Sequence, residues 1–63
     1  MNKMYIIYDG RARYDVDSAT VLDTADSFEE AIQASANAPE DSVVFAYDID
    51  NNGDLINGKL VEY

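Results

Sequence analysis

Val43-Val44-Phe45-Ala46-Tyr47-Asp48-Ile49-Asp50-Asn51-Asn52-Gly53-Asp54-Leu55 is the stretch whose reading decides the fold. Its first five residues form the most apolar run of the chain. A second apolar run follows at once, Leu55-Ile56-Asn57-Gly58-Lys59-Leu60-Val61. The acidic segment between them is therefore a turn joining two strands. Asn52-Gly53 is a strong turn dipeptide because both residues tolerate positive φ, and the flanking aspartates keep the turn in water. A calcium loop is the competing reading. Asp48, Asp50, Asn52, Gly53 and Asp54 fall at positions 1, 3, 5, 6 and 7 of an EF-hand-like loop, where hard oxygen ligands alternate and a glycine makes the bend. The twelfth position is Lys59, where such a loop needs a bidentate Glu, and the flanks read as strands. The hairpin is the better reading, and no metal ligand set is assigned.

Working outward, Val43, Phe45, Tyr47 and Ile49 alternate onto one face of the third strand. Val44, Ala46, Asp48 and Asp50 take the other. The fourth strand spans residues 55–62, and its Asn57-Gly58 marks a bulge or an early end. Upstream, Ser27-Phe28-Glu29-Glu30 is a capping box, with Asp26, Glu29 and Glu30 suited to the positive end of a helix dipole. The spacing predicts a helix from Phe28 to about Asn37. Phe28, Ala31, Ile32, Ser35 and Ala36 share its inward face, and Pro39 stops it. Lys3-Met4-Tyr5-Ile6-Ile7-Tyr8 is apolar on both faces, which predicts a strand in the middle of a sheet. Residues 19–24 fit a second strand antiparallel to it. The loop between them, residues 9–17, is long for so small a domain, and long loops are where function concentrates.

The order is β-β-α-β-β over a single domain, residues 1–63. It predicts an α+β fold with one helix packed on one face of a four-stranded, mainly antiparallel sheet. No element is left for the second face. Tyr5, Tyr8, Tyr14, Tyr47 and Tyr63 are available to the two faces, and a homodimer is one way to cover the bare one.

Composition narrows the function. Thirteen acids face four bases in 63 residues, a net charge of −9. That exceeds the magnitude of about 2–8 that solubility calls for in a small domain. Direct binding to nucleic acid requires a basic footprint and is disfavoured, so no direct nucleic-acid partner is expected, and an anionic membrane would repel the chain. A basic host protein or nucleoprotein complex would attract it. The sequence has no histidine and no cysteine, so the usual general base and thiol nucleophile are missing. The expectation is a non-enzyme without cofactors, located in the cytoplasm because no apolar run could span a bilayer.

The candidate partner-binding residues are Arg11, Arg13, Tyr14, Asp15, Asp17, Asp48, Asp50 and Asp54. Arg and Tyr are frequent interface anchors, although Arg11 and Arg13 also lie among Asp9, Asp15 and Asp17, which they can neutralise locally. Residues two apart in a strand are about 6.6 Å apart on one face, close to two steps of about 3.4 Å along one DNA strand. Asp48 and Asp50 have this spacing, as do Asp15 and Asp17 if extended. On the strand Met4-Tyr5-Ile6-Ile7-Tyr8, the capped helix at Ser27-Phe28-Glu29-Glu30-Ala31 and the acidic hairpin Asp48 to Asp54, the chain resembles short acidic proteins of phages and other mobile elements, including small anti-CRISPR proteins and DNA mimics. That resemblance implies a stoichiometric inhibitor of a host defence or nucleic-acid enzyme. Arg11 and Arg13 depart from a uniformly acidic mimic. A small self-assembling module, and a metal- or ligand-binding module on the Asp48 to Asp54 turn, remain as alternatives.

Overall fold

The first strand, β1 (Lys3–Asp9), is paired on both sides, as its two apolar faces require. The structure, a computed structural model, describes residues 2–38 and 40–61. The sheet order is β2-β1-β3-β4, with β2 at Val21–Ala25, β3 at Ser42–Ile49 and β4 at Leu55–Val61, and every neighbouring pair is antiparallel. One helix, α1 (Phe28–Ala36), packs against β1, β2 and β3. This is the expected α+β arrangement.

The helix begins where its cap dictates. Ser27 is extended, and its hydroxyl accepts from the Glu30 backbone N–H at 3.2 Å, satisfying one of the first-turn donors that no carbonyl reaches. It closes at Asn37, whose N–H donates to the Gln33 carbonyl at 3.0 Å. Pro39, the expected stop, lies outside the described residues, as do Glu62 and Tyr63. The inward face is rotated from the expected one. Ala31 and Ser35 are buried and Ala34 packs on the core, whereas Ala36 is exposed and Phe28 is 45% exposed. The Phe28 ring meets Tyr5 edge-on at 6.2 Å between centroids, so it seals the margin of the core and does not fill it. Ser35 and Ser42 bond through their hydroxyls at 2.6 Å, which joins the helix to β3 without an orphaned polar group.

Register sorts the side chains by face, because directly opposed residues in antiparallel strands lie on the same side. Ile7 opposes Val44, and these two fully buried side chains make the core under α1 with Ala25 and Ala31. The other face carries Met4, Ile6 and Tyr8 of β1 and Val43, Phe45, Tyr47 and Ile49 of β3. Val21, Thr24, Leu55 and Leu60 of the edge strands join them. The expected alternation along β3 is present, with one difference. The strand ends at Ile49, so Asp50 belongs to the turn.

Two irregularities shape the edges. Between Ile7 and Tyr8 the β1–β2 register shifts, and β2 starts and ends later than the sequence pattern indicates. On β4 the register shifts between Ala46 and Asp48, so that Asn57 and Gly58 together oppose Tyr47. Asn57 adopts φ 56°, and the Asn57-Gly58 pair is a bulge. The Asp50–Asp54 turn is a hairpin in which Gly53 alone takes positive φ, 84°; Asn52 does not share it.

Candidate partner-binding surfaces

The loop between β1 and β2 is built by its own carboxylates. Asp9 is buried. Its Oδ1 accepts from the Arg11 N–H at 3.1 Å and its Oδ2 from the Thr20 N–H at 3.4 Å, so one side chain ties the start of the loop to its end. Asp9 thereby caps a 3-10 turn at Gly10–Arg13. Asp15 caps a second one at Val16–Ser18, accepting from the Asp17 N–H at 3.2 Å and from the Ser18 hydroxyl at 2.7 Å. Asp15 and Asp17 are therefore not an extended pair, and the strand spacing expected of them is absent. Short polar side chains bond their own backbone more readily than they hold an extended path.

The two loop arginines point to different acids. Arg13 grips Asp41 with both terminal nitrogens, Nη2 to Oδ1 at 3.1 Å, and this holds the Asp41 carboxyl below its ordinary range. Arg11 Nε lies 3.9 Å from Asp9 Oδ2, a loose contact between a solvent-exposed arginine and a buried carboxylate. Tyr14 follows Arg13 and is 91% exposed, with its ring in solvent. The hairpin acids are also engaged. Asp48 accepts from Asn57 Nδ2 at 3.2 Å and pairs with Lys3 Nζ at 3.2 Å. Those two partners, Asn57 first, lower its carboxyl from the usual value. Asp50 Oδ1 accepts from the Asn52 and Asp54 N–H groups, both at 2.9 Å, and closes the turn. Asp48 sits on the helix side of β3 and Asp50 beyond its end, so these two do not form the regular strand ladder that their spacing suggested.

Two surfaces emerge instead. Asp23, Asp26, Glu29 and Glu30 lead into and open α1. All four are exposed, and no cation lies within ion-pairing distance of them among the described residues. The capping sequence gave the signal for three of them, read there as dipole support alone.

The second surface is the sheet face away from α1. Tyr8 meets Phe45 edge-on at 5.5 Å, and Phe45 stacks beside Tyr47 at 6.4 Å. The Tyr8 and Tyr47 hydroxyls join at 3.0 Å above them. Gly58 makes room for this, since a Cβ there would overlap the Tyr47 ring. Asp17 brings its charge within reach of the Tyr47 hydroxyl, so the loop borders one end of this face.

Desolvation, then the hydrogen bond to Tyr8, pushes the Tyr47 phenol up from 10.0 to about 12. A phenol is charged when deprotonated, so a raised folded value means that the folded state favours the neutral form. Its stabilising contribution is full below the unfolded value of 10.0 and disappears as pH rises through about 12. Absorbance titration of phenolate should therefore show a late-ionising tyrosine, with stability falling between those two pH values. Replacement Tyr47→Phe should remove the late step.

The fold defines a class, a single helix on a four-stranded antiparallel sheet with strand order β2-β1-β3-β4. Comparison with known proteins finds no matching family model, no matching curated protein and no matching solved structure. No helix among the described residues is long and apolar enough to cross a membrane.

Proposed function

We propose that this chain is an acidic protein–protein interaction module that occupies a basic, nucleic-acid-binding surface of its target. In this reading it acts in the cytoplasm of a host cell as a stoichiometric, phage-type inhibitor of a defence or nucleic-acid enzyme and performs no catalysis. The observation that supports it is the unneutralised acid on the surface. Ion pairs among the described residues engage Asp9, Asp41 and Asp48, and they use Lys3, Arg11 and Arg13. Asp23, Asp26, Glu29, Glu30, Glu40 and Asp54 are exposed and have no such partner among the described residues. A surface of this kind steers a basic partner by long-range attraction and competes with phosphates for the same lysines and arginines.

The test is capture of partners from a nuclease-treated bacterial lysate on the immobilised chain. A nucleic-acid-binding protein should be retained at low salt, released at high salt, and displaced from its nucleic acid by the chain. The joint variant Asp23→Asn, Asp26→Asn, Glu29→Gln, Glu30→Gln should bind that protein at least about tenfold more weakly, since four exposed pairs of up to about 1 kcal/mol each are lost. Binding that ignores both salt and these substitutions would rule the reading out.

A further inference from the structure

The strand charges are segregated. Lys3, Asp9, Asp23, Asp48 and Lys59 all lie on the register positions that face α1, and among the described strand residues the opposite face carries none. That neutral face also holds most of the large apolar side chains. Under the helix only Ile7 and Val44 are large and fully buried. On the other side Ile6 and Val43 are buried, Tyr8, Phe45 and Tyr47 are part-buried, and the exposure lies on the edge strands, with Leu55 and Leu60 40% and 41% exposed and Val21 52% exposed. Much of the strands' apolar material therefore lies on this face, and the part open to solvent is its two edges, Val21 on one side and Leu55 and Leu60 on the other.

We propose that a second copy of this chain covers this face, two sheets packing across a two-fold axis into a sandwich. Charge distinguishes the occupant. A basic partner is drawn to the acidic helix side, and at the neutral face its own cations would lose water without meeting counter-charges, apart from Asp17 at the border. A second copy presents the same neutral surface and turns both sets of strand charges outward. Sheets in a sandwich stand about 10 Å apart, so the helix-side acids of the two copies are separated by more than the Debye length of about 8 Å at physiological salt. The two-fold makes the contact self-complementary, with each Leu60 and Val21 meeting the same patch on its mate. Four strands about 4.8 Å apart, with about 20 Å of length each, give a footprint of roughly 300–400 Å². Counted on both mates that is roughly 600–800 Å², below the roughly 1,200–2,000 Å² of standard interfaces, so the dimer is weak and concentration-dependent.

Sedimentation equilibrium of the purified chain, over a wide range of protein concentration and at low and high salt, tests this. The expected result is a monomer–dimer equilibrium that tightens as salt rises, because screening removes repulsion between two chains of −9. Leu60→Lys is the decisive variant. It lowers the net negative charge yet places a cation in the contact, so dimerisation should weaken at least tenfold. Val21→Lys, on the opposite edge strand, should do the same, and circular dichroism of each variant establishes that it is folded. Tighter association in Leu60→Lys would mean that net charge sets the self-association, and would overturn the proposal. So would a chain that stays monomeric at every concentration and salt. If that monomer instead loses its lysate partner on Leu60→Lys, the face belongs to another protein and not to a second copy. The dimer tightens with salt and the acidic complex weakens with it, so failure of one reading is distinguishable from failure of the other.

Discussion

Replacing Ile7 with alanine should leave a large fraction of the chain unfolded at room temperature. Ile7 is fully buried on the central strand, opposes Val44 and packs with Ala25 and Ala31 under the helix. Truncating a buried Ile to Ala costs about 2–5 kcal/mol, from lost transfer free energy and the cavity left behind. A domain of this length is stable by roughly 3–9 kcal/mol at 0.05–0.15 kcal/mol per residue. The two ranges overlap, which is why one side chain matters so much here. Few other large side chains share the load, and alanines cannot close around the void. Thermal melting followed by circular dichroism should show a melting temperature lowered by well over 10 °C, or no transition at all. Val21→Ala on the exposed edge, at 52% exposure, should change stability by no more than about 0.5 kcal/mol.

Gly58→Ala is the second large effect, and it arises from a ring and not from backbone freedom. The added methyl would occupy the space of the Tyr47 ring. Tyr47 must then move, which breaks its hydroxyl contact with Tyr8 and opens its stacking on Phe45. Overpacking of this kind costs about 1–3 kcal/mol. The near-ultraviolet dichroism of the tyrosines should fall and the late phenol titration should return toward the ordinary range. In a Tyr47→Ala background the same glycine substitution should be nearly neutral, which isolates the clash. Gly53→Ala supplies the contrast. Nothing lies within 4 Å of a Cβ there, but φ is 84°, so its cost is backbone strain alone, about 1–2 kcal/mol.

The elements that the sequence makes legible are those whose local signals agree with their tertiary surroundings. β1 reads as central because both its faces are apolar, and it is central. The helix start is legible in Ser27 to Glu30 because the cap is a local bond, 3.2 Å long in the structure. The hairpin is legible because Gly53 interrupts two apolar runs. What was not legible depends on pairing between distant residues. The rotation of α1 toward Ala34 depends on where the sheet lies beneath it. The bulge at Asn57-Gly58 depends on the Tyr47 ring from the neighbouring strand. For the candidate site, counting acids two apart could not show that Asp15 and Asp50 spend their oxygens on nearby backbone N–H groups. Nor could it show that Asp48 is shared by Lys3 and Asn57. The segregation of strand charge to one face was present in the alternation all along, but it becomes visible only when the register of all four strands is known.

The edge irregularities have a consequence of another kind, for what this chain does not become. A sheet with open edges can recruit further strands without limit, and that is the route to fibres. Here β2 is only five residues long, carries Asp23 and is out of step with β1 at Ile7/Tyr8, while β4 carries Lys59 and its two-residue bulge. Both rims are poor templates for an incoming strand. An acidic chain rich in Val, Ile and Tyr strands is thereby guarded at both rims against open-ended strand addition.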